Sequence, residues 1–329
     1  MSRISIKITF SFLFCEAKKM ATLLKGVLLI VCVTYIVFKI THSQQHLSEW
    51  FALGPEKTAG LLVTLALMPL NWILEGLKWK ILLAKQQERI SLKDATVSVL
   101  IGVAAGIFTP NRVGEFAGKV VSLKNTPSST VIKLNILAGT AQSLATLFFG
   151  TIALCFIHEI AINKPVLILF SALLISIATY IYTKSNWLFK LFNKLSSNKI
   201  HYPEIELIEP RTKVLILGLS FVRYAVFAAQ FILLLHFSGI HLSLITLAGL
   251  VSVTFLISTI MPTFALSEIA VRGSVAVFVI GSLSNQEAII LADSFLLWII
   301  NIALPALFGC LCFMQLKPLS NRSSSKDVV

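Results

Sequence analysis

Glu115 and Lys119 stand four residues apart, and so do Glu268 and Arg272. On a helix that spacing makes the two side chains neighbours, with the acid on the favourable N-terminal side. These four residues, together with Glu75, Arg112, Arg223 and Asp293, fall within or close to long apolar runs. A single charge at the centre of a membrane-spanning helix costs about 2.5–3.5 kcal/mol on insertion scales. So many charges must therefore pair with one another or face a wet cavity. Two chemistries fit. In one, each i,i+4 pair neutralises itself and is purely structural. In the other, the cations bind an anionic headgroup while the carboxylates position them or carry protons. Arginine suits phosphate because its planar fork bonds two oxygens at once, and half-helices that begin at a chain break aim N–H groups into the same space.

Arg223 lies about ten residues into its apolar run, or about 15 Å deep at 1.5 Å per residue, too deep to snorkel easily. Glu75, followed by Lys78 and Lys80, reads as a residue near the cytoplasmic surface. Asp293 reads as interfacial, near the outer end of its run. The substrate-binding candidates are accordingly Arg112, Glu115, Lys119, Arg223, Glu268 and Arg272. Arg112 and Arg272 are expected to face one shared polar cavity with Arg223 on its wall. No catalytic or metal-ligating set emerges. His42 and His46 are spaced i, i+4 but have no third ligand nearby, and Cys15, Cys32, Cys155, Cys310 and Cys312 form no CxxC pair and read as small packing residues.

The elements that must position these charges are membrane helices. Of the 329 residues, 56% are hydrophobic and 13% charged, with mean hydropathy +0.86, whereas a soluble domain carries about 25% charged residues. The formal net charge is +13. Its Lys and Arg sit in short segments between apolar runs, as cytoplasmic loops do, and no aromatic-basic platform points to nucleic acid. Full-length apolar runs occur at about 22–40, 59–83, 131–157, 165–183, 213–237 and 288–316. Two further regions, about 95–123 and 242–283, are broken at mid-run by Pro110, Asn111, Arg112 and Gly114, and by Pro262, Ser267, Glu268 and Gly273. Irregular backbone at membrane depth is tolerated only where it lines a protected cavity, so each is read as a broken or re-entrant helical hairpin. The fold expected is an all-α integral membrane protein of about six full spans and two such hairpins, about eight helices by hydropathy. Lys and Arg concentrate before residue 26, in 78–93, in 184–213 and in the tail, which places both termini in the cytoplasm of a plasma (inner) membrane protein. Residues 184–199, with aromatic and aliphatic positions alternating with lysines, suit a basic amphipathic helix on the inner leaflet.

The two breaks resemble each other: FTPNRVGEFAGK at 108–119 and IMPTFALSEIAVR at 260–272. Each has a proline, a short polar or small stretch, and then Glu-x-Ala-x-(Lys/Arg). The layout span, span, broken hairpin, span therefore occurs twice, starting on opposite sides, as in an inverted repeat. The units are 20–157 and 158–316. Residues 1–19 form an N-terminal extension, with Met20 as an alternative start, and 317–329 a cytoplasmic tail.

At these residues the sequence resembles the transmembrane, flippase-like region of lysylphosphatidylglycerol synthases, which is also the flippase part of the multiple peptide resistance factor. The resemblance rests on LKWKILL at 77–83 and the two break segments. Pro110, Arg112, Gly114 and Glu115 match that family's Pro-x-Arg-x-Gly-Glu. In the second segment Pro262 and Glu268 match, while Phe264, Ala265, Leu266 and Ser267 replace the usual glycines. The resemblance implies movement of a lipid or lipid-linked molecule between leaflets by a stand-alone member, without the soluble domain that transfers lysine. No enzyme activity is expected. With neither a Walker motif nor a dinucleotide fingerprint, no cofactor is expected either. The partner is a membrane lipid with an anionic headgroup, and a homo-oligomer or an envelope-synthesis partner remains open. The alternatives are a non-transporting membrane subunit of an envelope-lipid or glycosyltransferase complex, and a membrane-bound lipid-modifying enzyme.

Overall fold

The computed structural model describes residues 54–107, 109, 112–123, 126–157, 163–187, 208–261 and 265–315, together with 30, 34–38 and 41. In chain order its helices are α1 (Pro55–Ala84), α2 (Leu92–Ile107), α3 (Gly114–Ser122), α4 (Ser128–Phe156) and α5 (Lys164–Thr183). There follow α6 (Pro210–Phe237), α7 (Leu244–Ile260), α8 (Ala265–Ser284), α9 (Glu287–Trp298) and α10 (Leu304–Met314), the last two joined by a π-helical turn, Ile299–Ala303. No strand occurs among the described residues. Local chemistry sets the helix starts. Proline opens α1, α5 and α6, where a missing N–H is no loss, and the Ser243 hydroxyl caps α7 by accepting from the Thr246 N–H.

Six stretches are long and apolar enough to cross a membrane: α1, α4, α5, α6, Ser267–Ser284 of α8, and the continuous Glu287–Met314. Five coincide with the full-length runs read from the sequence. The run at 22–40 lies almost wholly outside the described residues, and the sixth span comes instead from the second broken region. Large apolar side chains such as Phe156, Leu169, Ile245 and Met314 are exposed on the bundle, a surface suited to lipid rather than water. Cys155, expected to pack, is exposed on α4. Of the amphipathic segment expected at 184–199, only 184–187 are described.

The packing is reciprocal. α1 and α6, the second spans of the two halves, pack along each other. α2, the leading helix of the first broken region, rests on α10 at the end of the second half, and α7, its counterpart, rests on α4 at the end of the first. One apolar core gathers Leu154, Phe231, Leu250 and Val275; the other gathers Trp79, Leu82, Val99 and Leu137.

Glycine lets the first broken region fold back on itself. Gly102 and Gly106 on α2 face Gly118 and Gly114 on α3 across an antiparallel contact. A Cβ on Gly114 would lie 2.2 Å from the Ala105 carbonyl oxygen, and one on Gly118 would lie 2.7 Å from that of Ile101. These are two G-x-x-x-G segments in close backbone approach. The Thr109 hydroxyl closes the turn by accepting from the Gly114 N–H at 2.7 Å. With nine residues, α3 is about 14 Å long at 1.5 Å per residue, too short to cross a hydrocarbon core of about 30 Å. The second region differs: α7 has 17 residues and α8 has 20, so its returning leg is nearly span-length rather than a half-helix.

Candidate functional site

Asn71, Gln142 and Arg223 stand near the midpoints of α1, α4 and α6, and their side chains line one cavity of about 240 Å³. Arg112 reaches the same cavity from the turn before α3, Ser258 and Thr259 from the end of α7, Arg272 from α8, and Asn301 from the π-helical turn. Described residues beside both chain breaks thus line the same cavity, and the three arginines grouped from the sequence share one space. Pro110, Asn111 and Pro262 themselves lie outside the described residues. Gly114 and Ser267 are both buried beside their breaks.

α1 turns one stripe inward. Asn71, Glu75, Lys78 and Leu82 recur at three- and four-residue intervals, the spacing of a single helix face. Glu75 Oε2 lies 2.8 Å from Lys78 Nζ and 3.2 Å from Arg223 Nη1. Gln142 Oε1 accepts from both cations, at 3.4 Å from Lys78 and 3.2 Å from Arg223, and Lys78 also donates to the Ser220 hydroxyl at 3.2 Å. The Arg223 guanidinium lies 5.6 Å from the Trp72 ring centroid, within cation–π range. Glu75 is therefore not a surface residue, as the sequence had suggested. Lys78 and Lys80 are not equivalent: Lys78 points inward and is 0% exposed, so it marks the inner face rather than the membrane surface.

The two i,i+4 pairs form. Lys119 Nζ lies 3.0 Å from Glu115 Oε1, donates to Asn135 Oδ1, and sits 4.8 Å from the Trp79 ring centroid. Arg272 Nη2 lies 2.7 Å from Glu268 Oε1, with its guanidinium 5.8 Å from the Phe227 ring centroid. Lys119 is fully buried and does not line the cavity, whereas Arg272 does. Arg112 has φ +56°, in the left-handed region, and its guanidinium makes no ion pair or hydrogen bond among the described residues. Among the described residues, the three arginines of the cavity and the groups they and their neighbours pair with comprise three carboxylates (Glu75, Glu115 and Glu268) and five cations (Lys78, Arg112, Lys119, Arg223 and Arg272), an excess of two positive charges. Asp293 stands apart from them. It is buried at 0% exposure, with Oδ1 accepting from the Ser238 hydroxyl at 2.9 Å. Its place near an end of the bundle agrees with its place in the sequence, since Ser238 is the C-cap of α6, but it is covered by protein.

The uncharged partners were missed from the sequence: Gln142, Asn135, and the pair in which Asn71 Nδ2 donates to Asn301 Oδ1 at 2.9 Å. Each is a lone amide within an apolar run, the signal that could have found it. Asn301 sits in the π-helical turn just before Pro305, whose absent N–H and bulky ring disturb the preceding turn. Several polar atoms on cavity-lining side chains are buried without a protein partner, among them Trp72 Nε1, Arg223 Nε and Ser258 Oγ, and burial without a partner is unfavourable. Among the described residues no group of three or more His, Cys, Asp or Glu side chains is placed to hold a metal.

Apolar helices long enough to span, an exposed apolar surface and charges gathered near the midpoints of those helices define a multi-pass integral membrane protein with a polar cavity inside it. The chain belongs to the lysylphosphatidylglycerol synthase TM region family, which it matches over residues 22–309. No curated protein matches it. Membership connects the chain with lipid handling.

Proposed function

We propose that the protein is a lipid translocase, moving an anionic lipid or lipid-linked molecule between leaflets without changing it covalently. The observation that carries this reading is the cavity near the midpoints of α1, α4 and α6, where Arg112, Arg223 and Arg272 converge amid an excess of positive charge. Buried cations need anionic partners. A phosphate-bearing headgroup supplies them, with guanidinium forks giving two-oxygen contacts, while its tails stay in lipid. The six residues Arg112, Glu115, Lys119, Arg223, Glu268 and Arg272 then divide into cations that meet the headgroup and neighbours that hold them. The reciprocal packing of α2 on α10 and α7 on α4 supports an inverted repeat, in which sites lie at the repeat interface.

The test is transport itself. Purified protein in liposomes carrying fluorescent phosphatidylglycerol should equilibrate the label between leaflets faster than protein-free liposomes, and faster than it moves labelled phosphatidylcholine. Unchanged leaflet asymmetry would defeat the translocase reading. A chemically altered lipid recovered at the end would favour a lipid-modifying enzyme instead.

Orientation follows from the same reading, in a plasma membrane protein with both termini cytoplasmic. Single cysteines placed in 85–93 and 184–211 should resist an impermeant thiol reagent added to intact cells, and those in 41–57 should react. Labelling of 184–211 from outside would overturn both the orientation and the inverted repeat.

A further inference from the structure

Across α4 and α6 from the charged cavity lies a larger one of about 490 Å³. Leu144 and Phe148 of α4, Ile175 of α5, and Leu217 and Phe221 of α6 give it an apolar wall. On α6 the lining runs from Pro210 through Lys213 and Leu217 to Phe221, one face of the helix and about 17 Å of its length at 1.5 Å per residue. The space exists because α5 packs on α4 with no comparable contact to α6. Lys213 closes the end nearest the α6 N-terminus. It is 7% exposed, its Nζ donates to the Thr183 carbonyl at 2.9 Å, and its own carbonyl accepts from the Tyr182 hydroxyl at 2.6 Å. No carboxylate among the described residues pairs with its ammonium. An ionisable group this buried normally has a counter-charge, and here a cation without one stands at the polar end of an apolar groove in a membrane.

We propose that this groove binds an anionic phospholipid, with the phosphate on Lys213 and one acyl chain laid along α6 between α4 and α5. Charge complementarity decides the occupant, because an apolar groove alone would take any acyl chain. The chain before it is mixed in charge, with Glu204, Glu206, Glu209 and Arg211, so the choice of an anion over a zwitterion rests on the Lys213 ammonium itself. The groove's size and its few polar groups are those of a ligand site. It is separate from the charged cavity. Phe221 on its wall stacks toward Phe149, with ring centroids 5.4 Å apart, and Phe149 stacks on Tyr224 at 4.7 Å. Tyr224 lines the charged cavity, so the aromatic stack forms the partition between the two. The proposal holds whether or not the protein transports lipid.

Native mass spectrometry of the detergent-purified chain, titrated with phosphatidylglycerol or phosphatidylcholine, tests it. A hydrogen bond to a charged group is worth about 1.5–3 kcal/mol, so the wild-type chain should prefer phosphatidylglycerol by about tenfold or more. Lys213→Gln should lower that preference about tenfold, and Leu217→Trp, which fills the groove, should lower retention of both lipids. Lys213→Arg should keep the preference, and Lys93→Gln, an exposed lysine at the start of α2 that lines neither cavity, should leave it unchanged. A preference undiminished by Lys213→Gln, or one lost equally with Lys93→Gln, would put the anion elsewhere and overturn the assignment. Should Lys213→Gln fail to fold, Leu217→Trp decides alone: undiminished lipid retention in that variant overturns the proposal.

Discussion

Replacing Glu75 with Gln is expected to destabilise the protein more than any other single change at the charged cavity. Glu75 Oε2 meets two cations, Lys78 and Arg223, and Lys78 is wholly buried. Removing the carboxylate leaves both charges to the Gln142 amide and the Ser220 hydroxyl, neither of which carries a compensating charge. Breaking a buried pair by deleting one partner costs about 3–5 kcal/mol, a large part of the stability of an ordinary domain. The measurable outcome is a marked fall in the melting temperature of the detergent-purified protein, with loss of monodisperse material. The double variant Glu75→Gln with Lys78→Met should recover much of the loss, because it removes the stranded ammonium along with its partner. Arg223→Gln should be milder, since Lys78 still balances Glu75. If Glu75→Gln melts with the wild type, the triad is solvated and the cavity is wetter than its burial indicates.

The helices and their breaks could be read from the sequence because both follow from composition. An apolar run of span length has few alternatives, and proline with polar residues in mid-run has to mark irregular backbone. Five of the six spans were placed to within a few residues, and so was the break between α2 and α3. The i,i+4 pairs Glu115–Lys119 and Glu268–Arg272 were legible for the same reason: both partners sit on one helix, where spacing alone sets their distance.

Pairing between helices was not legible. Arg223 and Glu75 lie on α6 and α1, and nothing in their spacing shows that these helices pack together. Judged by its sequence neighbours, Glu75 looked superficial, and Arg223 looked short of an acid. The burial of Asp293 was not visible likewise, because its cover, Ser238, comes from another helix. Gln142 carries no charge, so a reading built on charges passed over the group that links Lys78 to Arg223. The glycines at 102, 106, 114 and 118 do form a visible G-x-x-x-G pattern on each side of the break, yet their meaning depends on α2 and α3 folding face to face. The second break also shows the limit of analogy. Its motif resembles the first, but where the first returns through a nine-residue helix, the second returns through one of 20 residues.

Arg112 should carry the largest effect on transport, and two substitutions can separate its charge from its backbone. Its φ of +56° places a non-glycine residue in a region that costs an L-residue roughly 1–2 kcal/mol. Strain of that kind persists only where the surroundings hold it, here the Thr109 hydroxyl on the Gly114 N–H and the tight glycine contact behind it. Arg112 lines the cavity and its guanidinium makes no ion pair or hydrogen bond among the described residues, although Glu115 is close enough to feel its charge, whereas Arg223 and Arg272 are each tied to a glutamate. It is thus the cation that a headgroup can engage without breaking an existing bond. Arg112→Gln keeps the strained backbone and removes the charge; Arg112→Gly removes both. If the side chain binds the headgroup, both variants should lose about ten- to a hundredfold in flipping rate, the loss of one charge-assisted contact. In melting temperature they should diverge, with Arg112→Gln near wild type and Arg112→Gly equal or higher because glycine adopts this φ freely. Normal flipping by Arg112→Gly would reduce Arg112 to a turn residue. Unfolding of both variants would show that its charge holds the break together and that it has no special part in recognition.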